Sequence, residues 1–373
     1  MKKKLVVLLT TAMVAASLAA CGQSNGNTGN SESTNQNASS SVESTEISEA
    51  VPESITITSL NGNKEEVEVT VPYDPERIAI LDLAALDIID NIGMGNRVVG
   101  SADTSIDYLS DYADNEDIVN LGTIKEADLE AVMACEPEVI FIGGRLSASY
   151  DALSEIAPVI YLETDTEIGL VESVSNNAKK IASLFGLESE IDEKVAGFSE
   201  RIAALQEVAE GKTALVGMTT SGSFNLLGND GRCSIIGVEI GFNNLTASSS
   251  NSSEESGRGQ SSEGAQNTEA TQSTENAGQG NGAGSPHGNE SSFETVVAEN
   301  PDYIFVMDRD SAIGTEGAQL AKEIMENELV MGTDAYKNGN IVYLENPAVW
   351  YTAEGGITSL DTMLSDLEHA LLN

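Results

Sequence analysis

The chain has 373 residues, 40% of them apolar, and sets 60 Asp plus Glu against 18 Lys plus Arg, a formal net charge of −42. That length suggests two globular units with a real core, while so acidic a chain repels nucleic-acid phosphates and anionic membranes. Three Cys exclude a disulfide framework, and two His exclude sites built from several imidazoles.

Residues 1–20 read as an export signal. Lys2, Lys3 and Lys4 form a basic start, an apolar run covers Leu5 to Leu18, and small residues follow. The run is too short to span a bilayer. Leu18-Ala19-Ala20-Cys21 resembles a bacterial lipobox. That resemblance implies lipidation of Cys21, the alternative being a plain secretory signal with a chance Cys. A diacyl anchor carries two chains, which suits stable attachment. Residues 21–52 are rich in Ser, Asn, Gly and Glu and read as a disordered tether.

The body begins with alternating Ser54–Ser59 and Glu66–Val71 around Asn61-Gly62, a β-hairpin pattern. Strands are predicted at Ile78–Leu81, Val98–Gly100, Val139–Ile142 and Val159–Leu162, with helices at Leu83–Ile92 and Ala127–Ala134. This alternation makes 53–168 an α/β lobe with a largely parallel sheet. Residues 169–211 carry only helical periodicity. Gly186 ends a first helix, and a second over 188–210 would run roughly 34 Å at 1.5 Å per residue. It reads as a strut between lobes.

Residues 212–373 repeat the alternation as a second α/β lobe. Strands fall at Leu215–Met218, Phe224–Leu227, Ile304–Met307 and Ile341–Leu344, and helices at Phe293–Glu299, Gly317–Glu326 and Thr358–Leu372. Residues 246–286 lack any Val, Ile, Leu, Met or aromatic residue and read as a disordered insertion. The fold class is therefore α/β, two lobes joined by a long helix, with a ligand crevice between them.

Only seven Arg occur, and three follow predicted strands: Arg145, Arg232 and Arg309. Strand-end loops open at the crevice, so three guanidiniums there make an anion trap. The alternative pairs each with a local carboxylate, Asp230, Asp308 or Asp310.

Asp302-Tyr303-Ile304-Phe305-Val306-Met307-Asp308-Arg309-Asp310, Asp128-Leu129-Glu130 with Glu136-Pro137-Glu138 leading through Val139–Ile142 to Gly143-Gly144-Arg145, and Trp350-Tyr351 carry a family likeness. The chain resembles the catecholate-siderophore-binding lipoproteins of bacterial ABC iron importers, of the petrobactin and enterobactin type, over about 55–373 apart from the insertion. The resemblance implies the helical-backbone periplasmic-binding-protein architecture, a ferric siderophore clamped between lobes as transported ligand, and no intrinsic cofactor. It places ligand-binding roles at Arg145, Arg232, Arg309, Tyr351 and Trp350. The family has an aromatic-rich stretch after the second Arg, where this chain has Cys233-Ser234-Ile235-Ile236. Some members complete the iron shell of a tetradentate catecholate with one His and one Tyr, which implies His287 and Tyr351 here. Hard Fe³⁺ accepts phenolate oxygen and also imidazole. The alternatives are a solvent-exposed His287 and a Tyr351 that stacks on the ligand or packs a lobe edge.

The implied partners are a ferric siderophore, an ABC permease docked by acidic lobe tips, and the membrane through the lipid anchor. Nucleic acid is excluded, and a monomer is expected. The tether points to the extracytoplasmic face of a Gram-positive cell membrane. No nucleophile elbow, phosphate loop or paired Cys-His site occurs, so the reading is not an enzyme. Haem, cobalamin or a hydroxamate siderophore on the same fold remain the alternative ligands.

Overall fold

The computed structural model describes residues 52–246, 289–290 and 293–372, with only the backbone of 289–290. The export signal, Cys21, the tether up to residue 51, the insertion from residue 247 and His287 lie outside the described residues.

Alternation at the start of the body produces an antiparallel hairpin, β1 (Ser54–Leu60) and β2 (Glu66–Pro72). Its turn is longer than the Asn61-Gly62 dipeptide predicts. The Asn61 side-chain oxygen accepts the amides of Asn63 and Glu65, and Lys64 takes a φ of +64°.

The first lobe continues with β3 (Ile78–Leu81), α1 (Leu83–Asn91), β4 (Val98–Ser101), α2 (Ser110–Asp114), β5 (Val119–Asn120), β6 (Gly122–Thr123) and β7 (Glu126–Ala127). It closes with α3 (Leu129–Ala134), β8 (Val139–Ile142), α4 (Tyr150–Ser154) and β9 (Val159–Tyr161). A parallel sheet runs in the order β5-β4-β3-β8-β9. Every residue of β3, β8 and β9 is buried. Continuous apolar runs of this kind belong to parallel strands covered on both faces.

The connector is α5 (Leu170–Ser183), α6 (Glu188–Val195) and α7 (Phe198–Ala209). One helix over 188–210 is thus corrected to two, broken at Ala196-Gly197. Glycine costs about 1 kcal/mol in a helix interior relative to alanine. The two pieces also pack on different partners: α6 lies on α5, whereas α7 buries Phe198, Ile202, Leu205 and Ala209 and packs against the C-terminal helix.

The second lobe comprises β10 (Thr213–Thr220), β11 (Ser223–Leu226), α8 (Ser234–Val238), β12 (Asn243–Asn244), β13 (Asn289–Glu290), α9 (Phe293–Glu299), β14 (Tyr303–Asp308) and α10 (Arg309–Ala312). It ends with α11 (Ala321–Met325), α12 (Glu328–Met331), α13 (Asp334–Lys337), β15 (Ile341–Tyr343), α14 (Pro347–Thr352) and α15 (Ile357–Leu372). Its sheet runs β13-β11-β10-β14-β15, with β12 beside β10. Strands β10, β14 and β15 are parallel, and β11 is antiparallel to β10. The helix predicted from Gly317 starts only at Ala321: Gly317 takes a φ of +70°, and Leu320 is still extended with a ψ of 148°.

One core joins the lobes. Ile78, Val139 and Phe141 of the first sheet belong to one buried cluster with Val216, Met218 and Phe305 of the second and with Leu360, Leu364 and Leu367 of α15. After the second sheet, α15 packs on α1, α5 and α7. Among the described residues no helix is long and apolar enough to cross a membrane.

Candidate functional site

A cleft of about 620 Å³ opens between the two sheets. Its first wall carries Asp82, Arg145 and the segment Leu162–Thr166, and its second carries Asp230–Arg232, Tyr351 and Glu354.

Arg145 leaves the end of β8 through Gly143 and Gly144. A Cβ at Gly143 would sit 2.6 Å from an Asp82 carboxylate oxygen, and one at Gly144 would meet Glu163. Both glycines let the chain pass this close to two carboxylates, and so turn Arg145 into the cleft. Arg309 is the first residue of α10, directly after β14. Arg232 lies in the loop between β11 and α8, where Cys233 takes a left-handed φ of +62°.

These three arginines converge on Tyr351. Their guanidinium carbons lie 5.1 Å (Arg145), 4.5 Å (Arg232) and 5.6 Å (Arg309) from its ring centroid. Arg145 Nη2 donates to the Tyr351 backbone carbonyl at 2.7 Å, and Arg232 Nε donates to the same oxygen at 3.3 Å. That carbonyl sits at the C-terminal end of α14, where helix carbonyls lack internal partners and partial negative charge collects. Arg309 Nε donates to the phenol oxygen at 3.1 Å. Lys125, between β6 and β7, places its ammonium 5.9 Å from the ring centroid.

The electrostatics follow from this crowding. Burial opposes ionisation of Tyr351, but the Arg309 hydrogen bond and the charges of Arg309, Lys125 and Arg232 outweigh it and hold the phenol below its ordinary range. Burial and the neighbouring Arg232 charge lower the pKa of Arg145. Burial pushes Glu354 up to about 7, against the opposing charge of Arg232 and the Cys233 amide. Burial likewise pushes Asp82 up to about 6, against its capping of the Ala85 amide and the charge of Arg145.

The structure therefore brings together four residues singled out in the sequence: Arg145, Arg232, Arg309 and Tyr351. Local carboxylate pairing is found for Arg309, whose Nη1 lies 3.3 Å from Asp310. Asp308 instead caps α10 and binds the Ala321 amide. Trp350 is corrected: it is fully buried and lies outside the cleft, and its indole N–H donates to Asp366 at 2.8 Å. Successive helical residues point about 100° apart, so Tyr351 faces the cleft while Trp350 turns inward. His287 lies outside the described residues. Cys135 and Cys233 are both buried.

Lys125, Asp82 and Glu354 were missed. Lys125 sits in the tight turn between two two-residue strands, with no apolar pattern to mark it. Asp82 did leave a signal, since an Asp between the strand Ile78–Leu81 and the helix at Leu83 is an N-cap.

The model of the periplasmic binding protein family matches residues 78–348. The chain belongs to this family. Over 379 aligned residues this periplasmic binding protein is 29% identical to the petrobactin-binding protein YclQ of Bacillus subtilis (strain 168), covering 99% of each chain. The crystal structure of YclQ matches with a TM-score of 0.69 over 86% of this chain and 100% of that one. The periplasmic catecholate-siderophore binding protein VctP from Vibrio cholerae matches with a TM-score of 0.68 at 26% identity, over 85% of this chain and 100% of that one. The periplasmic binding protein here thus has the mixed α/β fold that its sequence implies, in a family of binding proteins rather than enzymes.

Proposed function

We propose that this periplasmic binding protein captures a ferric catecholate siderophore in the interlobe cleft and delivers it to an ABC permease. The observation that carries the reading is the convergence of Arg145, Arg232, Arg309 and Lys125 on one phenol. A ferric bis- or tris-catecholate is a net anion with oxygens spread around the metal, and planar guanidiniums match such oxygens as paired donors. A ferric tris-hydroxamate core is neutral and offers those guanidiniums no net negative charge. The likeness to YclQ and VctP supports the same ligand class.

In this reading the arginines exchange the oxygens of Tyr351 for those of the ligand. The phenol then faces the iron of the cargo and serves as an oxygen donor where a tetradentate siderophore leaves a position open. His287 is the candidate second donor. Cys21 is the lipid attachment site, holding the body on the extracytoplasmic face of the membrane, and the protein acts as a monomer.

Calorimetric titration with ferric bis-catecholate, ferric hydroxamate and haem in parallel tests the proposal. Saturable binding of the catecholate alone supports it. Preference for haem or hydroxamate overturns the ligand class and leaves the fold untouched.

A further inference from the structure

Two carboxylates reach out of their own lobes, each onto the amino end of a helix: Asp87 of the first lobe onto α15, and Glu239 of the second lobe onto α5, the connector helix that packs on α1 of the first lobe. Asp87 of α1 is fully buried. Its Oδ1 accepts the amide of Thr358 at 2.9 Å, and its Oδ2 accepts the amide of Ser359 at 2.8 Å and the Tyr108 hydroxyl at 2.6 Å. Thr358 and Ser359 lie in the first turn of α15. A Cβ at Gly356 would stand 2.4 Å from the Asp87 carboxyl carbon, so only glycine admits so close an approach of the two lobes. Along the same face of α1, Asn91 Nδ2 donates to the Thr358 hydroxyl at 3.2 Å.

Glu239, which ends α8 in the second lobe, does the converse. Its Oε2 accepts the amide of Leu170 at 2.9 Å, and its Oε1 accepts that of Val171 at 3.0 Å. These are the first amides of α5, which leads out of the first lobe. Gly169 before them has a φ of +89°, and a Cβ there would lie 3.1 Å from the Glu239 carboxylate. A neutral contact, Ser105 Oγ to the Ala312 carbonyl at 3.2 Å, also crosses.

Both helices begin just after a wall of the cleft. Thr164 and Thr166 precede α5, and Tyr351 and Glu354 precede α15. A carboxylate at a helix amino end satisfies orphan amides and meets the positive end of the helix dipole, and burial strengthens both effects. We propose that Asp87 and Glu239 are positioning residues, a reciprocal pair of interlobe staples that fix the separation of the two cleft walls before ligand arrives. Neither touches the cleft, and the pair acts on binding only through the wall that each cap holds.

The test needs no ligand, so it stands apart from the siderophore reading. Nitroxide labels carried by genetically encoded amino acids at the exposed positions Glu116 and Glu316 report the interlobe distance in the full chain by pulsed electron resonance. Asp87→Asn and Glu239→Gln are each expected to broaden the distance distribution. Amide exchange should rise roughly tenfold at Thr358 and Ser359 in the first variant and at Leu170 and Val171 in the second. Gly356→Ala, which wedges the lobes apart, is expected to shift the mean distance. Distributions that superimpose on the parent's, with exchange raised only at the caps, would make the contacts local and overturn the proposal. Should Asp87→Asn fail to fold, Glu239→Gln at its less buried site decides the matter alone.

Discussion

Tyr351 gathers oxygen acceptors where three guanidiniums would otherwise repel one another. Its carbonyl takes Arg145 and Arg232, and its phenol takes Arg309. Charge-assisted hydrogen bonds contribute about 1.5–3 kcal/mol each, so Arg145→Ala or Arg309→Ala should weaken ferric catecholate binding roughly ten- to a hundredfold, measured by calorimetry. Unchanged affinity in both would place the anion elsewhere. Glu354 supplies a pH dependence. Burial raises its carboxyl from 4.5 to about 7, so the native state binds this proton more firmly than the unfolded chain. The resulting stability is fully present below about pH 4.5 and is lost as pH rises through about 7. Relative to Glu354→Gln, the parent should therefore lose Tm across that window. A difference in Tm that stays flat with pH would contradict the assignment.

At the scale of elements, α14 is held from behind so that its front can carry Tyr351. Asp366 of α15 accepts the Asn346 amide, the Asn346 side chain and the Trp350 indole. Trp350→Phe removes the indole N–H donor together with part of a fully buried ring, and leaves that carboxylate short of one partner. A loss of about 1–3 kcal/mol in urea unfolding is expected. The break between α6 and α7 makes the opposite forecast. Gly197 has a φ of −84°, and no atom lies within 4 Å of the place a Cβ would take. Gly197→Ala should accordingly stabilise the protein by about 0.5–1 kcal/mol in the same measurement. Destabilisation there would mean that the connector needs its break. Strands such as Ile78–Leu81 and Val139–Ile142 were legible to the residue because both faces of a parallel strand are buried. The break at Gly197 was harder to see, since apolar periodicity runs straight across it and only the choice of packing partner separates the pieces. Trp350 misled because adjacency in sequence hides the 100° turn between helical neighbours.

At the scale of the whole molecule, the three arginines were legible as strand ends, while their focus on a single phenol was not. That focus depends on α14 approaching from the second lobe and on Arg145 reaching across from the first, at separations of 42 to 206 residues along the chain. Long-range approach of this kind leaves no local pattern. The crossing carboxylates Asp87 and Glu239 were hidden for the same reason. Together, the shared core and the crossing contacts describe a cleft that exists before its ligand.

A crystal structure of the full chain with ferric bis-catecholate addresses the central claim most directly. The complex is expected between Arg145, Arg232 and Arg309, with their hydrogen bonds moved from Tyr351 to catecholate oxygens and the phenol turned to the iron. A complex bound elsewhere, with all three arginines still on Tyr351, would contradict it.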